Sequence, residues 1–251
     1  MVVIVIDNFR NILLLIDEMF SVINEISIEC ENDHKKNIYL AAFFLEFKKK
    51  SMDRFMENGV CPPIFYFIDQ IKGMSTDDAI NFLTNEDDLI DIDKIIFSSY
   101  IKKHYCTAMD QWGEHESYDH IKEFISNIKD NFERDNIFSA TLNLFTLIEF
   151  KVREVYGCNI STGEITKTIK NVLKEQCFKY KKVPSEGLEK IYNEFLEGGR
   201  FNLYKSTQNK PQYITRHMLH GDRLDLIDKK RMISLVFFTD CIYKMLFKFE
   251  N

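Results

Sequence analysis

Asp135-Asn-Ile-Phe-Ser-Ala-Thr-Leu-Asn-Leu-Phe-Thr-Leu-Ile-Glu-Phe-Lys-Val-Arg-Glu-Val-Tyr-Gly157 is the most hydrophobic long stretch of the 251-residue chain. Its apolar residues (Ile137, Phe138, Leu142, Leu144, Phe145, Leu147, Ile148, Phe150, Val152, Val155) recur at helical spacings, without the alternation of a half-buried strand. The spacing predicts one long helix ending at Gly157, and a helix apolar on most of its sides belongs at the centre of a fold.

Outward from this segment the pattern stays helical. A last long helix is expected from about Asp228, with Met232, Leu235, Val236, Ile242, Met245, Leu246 and Phe249 forming a stripe able to pack on the central helix. Phe9, Ile12, Leu13, Ile16, Phe20 and Ile23 mark a helix over about 7–29, and Tyr39, Phe43, Phe44, Phe47, Met52 and Phe55 mark one over about 36–57, closed by Asn58-Gly59. Pro62-Pro63 restarts the chain, Ser75 and Asp78 make a capping box, and a further helical pattern runs from about Asp88 to Met109. The pattern lapses at Asp110-Gln-Trp-Gly-Glu114 and resumes with Ile121, Phe124, Ile125 and Ile128. A lysine-rich helix is expected over about 162–180 and another over about 184–197. Only 9 Gly and 4 Pro occur, about half the usual share, which argues against a turn-rich all-β fold. The expectation is an all-α protein.

Charge divides the chain. Residues 1–130 hold 13 Lys and Arg against 24 Asp and Glu, and residues 131–251 hold 20 against 15. A soft boundary falls between about 110 and 135, giving an acidic helical N-terminal region (1–130) and a basic helical domain (131–251). A basic half on an acidic chain means either a surface for a polyanion or an internal electrostatic match, and the composition fits both.

The stretch Lys210-Pro-Gln-Tyr-Ile-Thr-Arg-His-Met-Leu-His-Gly221 is framed by Pro and Gly as a short helix. Arg216 and His220 are four apart, so both side chains rise from one face, while His217 lies about 100° round. His220 in the last turn is favoured in its protonated form by the helix dipole, which suits proton transfer near neutrality. A guanidinium and an imidazole on one phosphate suffice for metal-independent RNA cleavage. The same spacing also fits Arg216 paired with Asp222 or Asp225 and His220 closing a helix end.

Tyr213-Ile-Thr-Arg-His-Met-Leu-His-Gly221, with the hydrophobic helix carrying Leu147-Ile-Glu149 before it and the amphipathic helix after it, resembles the HEPN superfamily, in particular its abortive-infection-type members with an N-R-H-x-x-L-H-G signature. The resemblance covers about 131–251. Thr215 stands where that signature has Asn, and three residues rather than four to six separate Arg216 from His220. The resemblance implies a helical bundle, usually a homodimer, and a ribonuclease of toxin or phage-defence (antiviral) type. Arg216 would be its phosphate and transition-state stabiliser, and His220 its general acid or base. Glu149, a carboxylate on the apolar stripe Phe138, Leu142, Phe145, Val152, Tyr156, would orient one of them across the bundle, or else sit exposed at the edge of that face.

Lys167, Lys170, Lys174, Lys179, Lys181 and Lys182, interleaved with Phe178 and Tyr180, form the densest basic run. They read as an RNA-backbone track or as a solvated face. His104, His115 and His120 near Cys106, Glu114 and Glu116 match no metal-ligand spacing, and the six cysteines are scattered singly, so no metal or other cofactor is expected. No Walker loop or G-x-G-x-x-G motif occurs, which removes the usual routes to nucleotide hydrolysis. The apolar run Met1–Ile6 is too short to span a bilayer and has neither a basic leader nor a cleavage site, so a cytoplasmic protein without membrane contact is expected. The leading expectation is a ribonuclease effector acting on RNA, with the acidic half sensing or binding a regulatory protein partner. The alternative is a non-catalytic helical module that binds RNA or a partner protein.

Overall fold

The computed structural model describes residues 33–84, 91–157, 159, 164–165, 167–172, 186–195 and 227–246. Among them every regular element is helical and no strand occurs. The fold is all-α, as the periodicity predicts. The helix expected over 7–29, the segment from Lys210 to Gly221 and the lysines at 174, 179, 181 and 182 lie outside the described residues.

Asp33–Phe47 forms α1 and Lys49–Glu57 forms α2. The sequence predicts one helix here, and the chain instead bends at Lys48 (φ −107°, ψ 28°). Lys48 is buried, with its ammonium 4.5 Å from the centre of the Phe82 ring, so the bend accompanies an inward-turned cation on an aromatic face. Asn58 and Gly59 end α2 as expected. Gly59 takes φ +75°, a left-handed conformation that glycine adopts without steric cost, and its N–H reaches the Met56 carbonyl at 3.0 Å.

After Pro62-Pro63 comes α3, Ile64–Lys72, and then α4, Thr76–Thr84. The Ser75 hydroxyl accepts the Asp78 N–H at 3.2 Å and donates to its carboxylate at 2.7 Å, so the capping box closes. The pattern over 88–109 resolves into α5, Ile92–Ile96, capped by the Asp91 carboxylate, and α6, Ser99–Glu114, capped by the Ser98 hydroxyl. Helix α6 runs straight through the lapse at 110–114, because Trp112 is a core side chain only 1% exposed, and Gly113 continues the helix beside it. Then follow α7, Asp119–Glu133, and α8, Ile137–Tyr156, which ends at Gly157 with φ +120°. Residues 164–165 and 167–172 are helical, α9 is Glu186–Phe195 and α10 is Lys229–Leu246.

Helix α10 is the axis of the fold. All twelve residues from Met232 to Tyr243 are buried, including Ser234, Thr239 and Asp240, where the sequence predicts a one-sided stripe. The reason is visible in the packing: α10 touches α8, α1, α6 and α3. Helix α8, expected to be the centre, packs on α7 and α10 and keeps Phe138, Leu142 and Val155 more than 40% exposed. Apart from Phe43, the buried apolar side chains described from Ile38 to Met245 make a single cluster, so helices on both sides of residue 130 share one core. Each fully buried Leu, Ile or Phe contributes roughly 1.5–3 kcal/mol, and those of α10 serve helices from both halves at once.

Candidate functional site

Glu149 is the one predicted catalytic side chain among the described residues. It is 5% exposed, on the face of α8 turned into the bundle, so it does not sit exposed at the edge of that face. Arg153, one turn on, brings a guanidinium nitrogen to 3.4 Å from its carboxylate. Arg216 and His220, its expected partners, lie outside the described residues. Of the basic run, Lys167 is exposed and Lys170 half-buried, while Ile165 and Ile169 of the same segment are fully buried. These two lysines therefore sit on the outer side of a segment anchored by its isoleucines.

Beside Glu149 on α8 lies a polar arrangement that the sequence does not announce. The Lys151 ammonium reaches both Glu116 oxygens, at 2.8 and 3.0 Å, and also bonds Glu154. Lys151 and Glu116 are buried, which is tolerable only because each charge meets an opposite one. The Tyr243 hydroxyl of α10 donates to the same Glu116 at 3.3 Å. Burial and the adjacent carboxylate hold that phenol well above its ordinary pKa, so it remains a donor. Its ring stacks on Trp112 at 4.8 Å and 18°. Trp112 in turn donates its indole N–H to Asp240 at 3.1 Å, and Asp240 accepts from Lys244 at 3.0 Å. Two ionic groups, joined by a Tyr–Trp stack, thus tie α6, α8 and α10 together.

Lys244 continues toward a half-buried histidine. It lies 4.9 Å over the Phe65 ring, and its charge, added to the larger effect of burial, pushes the His104 pKa down against the opposing pull of Asp240 and Asp69. His104 Nε2 is 3.9 Å from the Asp69 carboxylate, with the Tyr66 and Tyr105 rings at 5.3 and 4.9 Å. That shift favours the neutral imidazole. His115 and His120 lie apart from it on the surface, and among the described residues no group of three His, Cys, Asp or Glu is placed to hold a metal ion. Cys61 and Cys241 are buried free thiols, and burial with the Cys241 contact raises the Cys61 thiol well above its ordinary range. Burial first, and then the nearby Glu133 carboxylate, push the Cys106 thiol up to about 12. A thiol that stays protonated is a poor nucleophile.

An open cleft of about 440 Å³ lies where α9 crosses α1 and α2. Met52, Met56 and Leu45 contribute apolar walls, and Lys49–Glu186 (3.3 Å) and Lys190–Asp53 bridge it. No helix among the described residues is long and apolar enough to cross a membrane.

No protein-family model, curated protein or solved structure matches the chain.

Proposed function

We propose that the chain is a metal-independent ribonuclease of toxin or phage-defence type, with Arg216 and His220 as its catalytic pair and Glu149 orienting them. The observation that carries this reading is the burial of Glu149 on α8. An ionised carboxylate inside a bundle requires cationic partners, and its two oxygens offer about four acceptor sites. Arg153 approaches at 3.4 Å, and a second cation such as Arg216 or a protonated His220 would be held by the same group.

In the reaction, a base removes the proton of a ribose 2′-hydroxyl and the 2′-oxygen bonds to the adjacent phosphorus. Arg216 stabilises the charge gathering on the phosphoryl oxygens. The bond to the 5′-oxygen breaks as that oxygen takes up a proton, leaving a 2′,3′-cyclic phosphate. His220 serves as the acid or base, and the complementary residue comes from a second subunit if the site is composite.

The test is incubation of the purified chain with structured and single-stranded RNA in chelator, alongside Arg216→Ala and His220→Ala. Cleavage with cyclic-phosphate ends, lost in both variants at unchanged helicity, is the expected result. Cleavage that persists in both variants overturns the assignment, and a chain that is strictly monomeric by mass in solution removes the composite site.

A second reading, a helical module that binds without catalysis, draws on a different observation. Lys151–Glu116, Lys190–Asp53 and Lys230–Asp93 each join a cation of the basic half to a carboxylate of the acidic half. Part of the charge asymmetry is thereby matched within the molecule. Absence of cleavage by the dimeric parent favours this module.

A further inference from the structure

We infer that the corner between α5 and α6, with the start of α10 beside it, docks a single-stranded RNA, its bases on Phe97 and Tyr100 and its phosphates on the surrounding lysines. That the strand is RNA rests on the ribonuclease reading; the surface itself rests on the exposure of the two rings and the charge around them. Phe97 is 50% exposed and Tyr100 77% exposed, three residues apart across the turn that joins two helices. The turn is well fixed. The Phe97 N–H bonds the Asp93 carbonyl at 3.0 Å, and the Ser98 side chain accepts the Ile101 N–H at 3.2 Å. Two rings displayed on a hydrogen-bonded corner, rather than folded into the core, are a surface on which bases of any sequence can stack.

The electrostatics select a polyanion over an apolar partner. Lys94 precedes Phe97 by one turn, Lys103 follows Tyr100 by one turn, and both are exposed. Lys230 of α10 reaches Asp93, on the turn that carries Phe97, at 2.7 Å. Lys102 and Lys229 converge on one carboxylate, Asp135, at 3.6 and 2.9 Å, so that one negative charge serves two cations. Lys229 holds this carboxylate below the usual range, which keeps it ionised and the cluster assembled. With Arg134 and Arg231 the corner gathers seven cations against five carboxylates (Asp91, Asp93, Glu133, Asp135 and Asp228). This positive excess arises partly within residues 1–130, whose net charge is negative. In the sequence, α10 opens nine residues after His220, so the corner and the cleavage motif are neighbours along the chain.

The intact chain is titrated into a fluorescein-labelled 12-nucleotide 2′-O-methyl-uridine strand in chelator, and binding is read by fluorescence anisotropy. The 2′-O-methyl group blocks the attacking oxygen, so the probe is not cut. Phe97→Ala and Tyr100→Ala are each expected to weaken binding by roughly 5- to 100-fold, with Tyr100→Phe close to the parent. Lys94→Gln combined with Lys103→Gln should lower the slope of log affinity against log salt by about 1.4, two phosphate contacts on a single strand. Both aromatic positions are exposed, so circular dichroism should be unchanged. Binding that survives both alanine variants overturns the surface. Binding that depends on the two rings but not on salt points to a protein partner and overturns the RNA assignment. The two proposals fail separately. Cleavage lost in Arg216→Ala and His220→Ala, but with binding indifferent to Phe97 and Tyr100, removes this surface and leaves the ribonuclease. Binding through the two rings by a parent that never cuts removes the ribonuclease and leaves the surface.

Discussion

Lys151 bears the sharpest energetic consequence of any single side chain described. Its ammonium bonds the buried Glu116 and also Glu154, and the Tyr243 hydroxyl completes the Glu116 shell. Replacement by methionine keeps the length of the side chain and removes the charge, which strands a carboxylate in the core. Lys151→Met is expected to lower stability by about 3–5 kcal/mol in urea denaturation, and the double variant with Glu116→Gln to recover most of it, because the cost lies in the unpaired charge and not in the lost attraction. A double variant no more stable than the single one would contradict that account. The pair is illegible in the sequence for a simple reason: Lys151 and Glu116 stand 35 residues apart, and both residue types default to the surface. Glu149 could be singled out because its neighbours at helical spacing are apolar, whereas nothing local marks Glu116, which follows the end of α6.

At the scale of elements, periodicity located helices well and misjudged which of them lies deepest. A stripe of Met232, Leu235, Val236 and Ile242 reads as one face, yet Ser234, Thr239 and Asp240 of the same helix are fully buried, each able to enter the core through a polar contact. Thr239 bonds the Leu235 carbonyl, Ser234 accepts the Cys61 N–H and Asp240 accepts from Trp112. Polar residues satisfied in this way disguise a buried helix as an amphipathic one. Trp112-Gly113 misled in the opposite direction, since a glycine beside a large aromatic resembles a break. Helix α9 offers the clearest test of close packing. A Cβ placed on Gly187 would come within 2.8 Å of the Leu45 Cβ, an atom close to the backbone of α1 that cannot swing aside. Gly187→Ala should therefore destabilise by roughly 1–3 kcal/mol through overpacking, offset by at most about 1 kcal/mol of helix propensity. A shift in the urea midpoint reports it, and a stabilised variant would show that α9 stands further from α1.

For the whole molecule the decisive relation is between the charge boundary and the core. Composition divides the chain near residue 130, but charge is a property of surfaces and carries no information about which interiors are shared. The buried cluster crosses that point, and α10 from the basic half covers α1, α3 and α6 from the acidic half. Ion pairs run the same way, as in Lys190–Asp53 and Lys230–Asp93, so the asymmetry is partly an internal match. A fragment holding residues 1–130 therefore loses the cover that α10 gives α1, α3 and α6, with their buried Ile38, Ile64 and Ile101, and it loses Asp240, the acceptor of the Trp112 indole. Trp112 is the only tryptophan of the chain, which makes its fluorescence a direct report on that interior. In the full chain its emission should be that of a buried indole and shift red in a single cooperative urea transition. In the fragment it should be red-shifted from the outset, with a shallow, non-cooperative response. A fragment with blue-shifted emission and a steep transition would mean that the first 130 residues close a core of their own, and that α10 docks onto a finished domain instead of completing one.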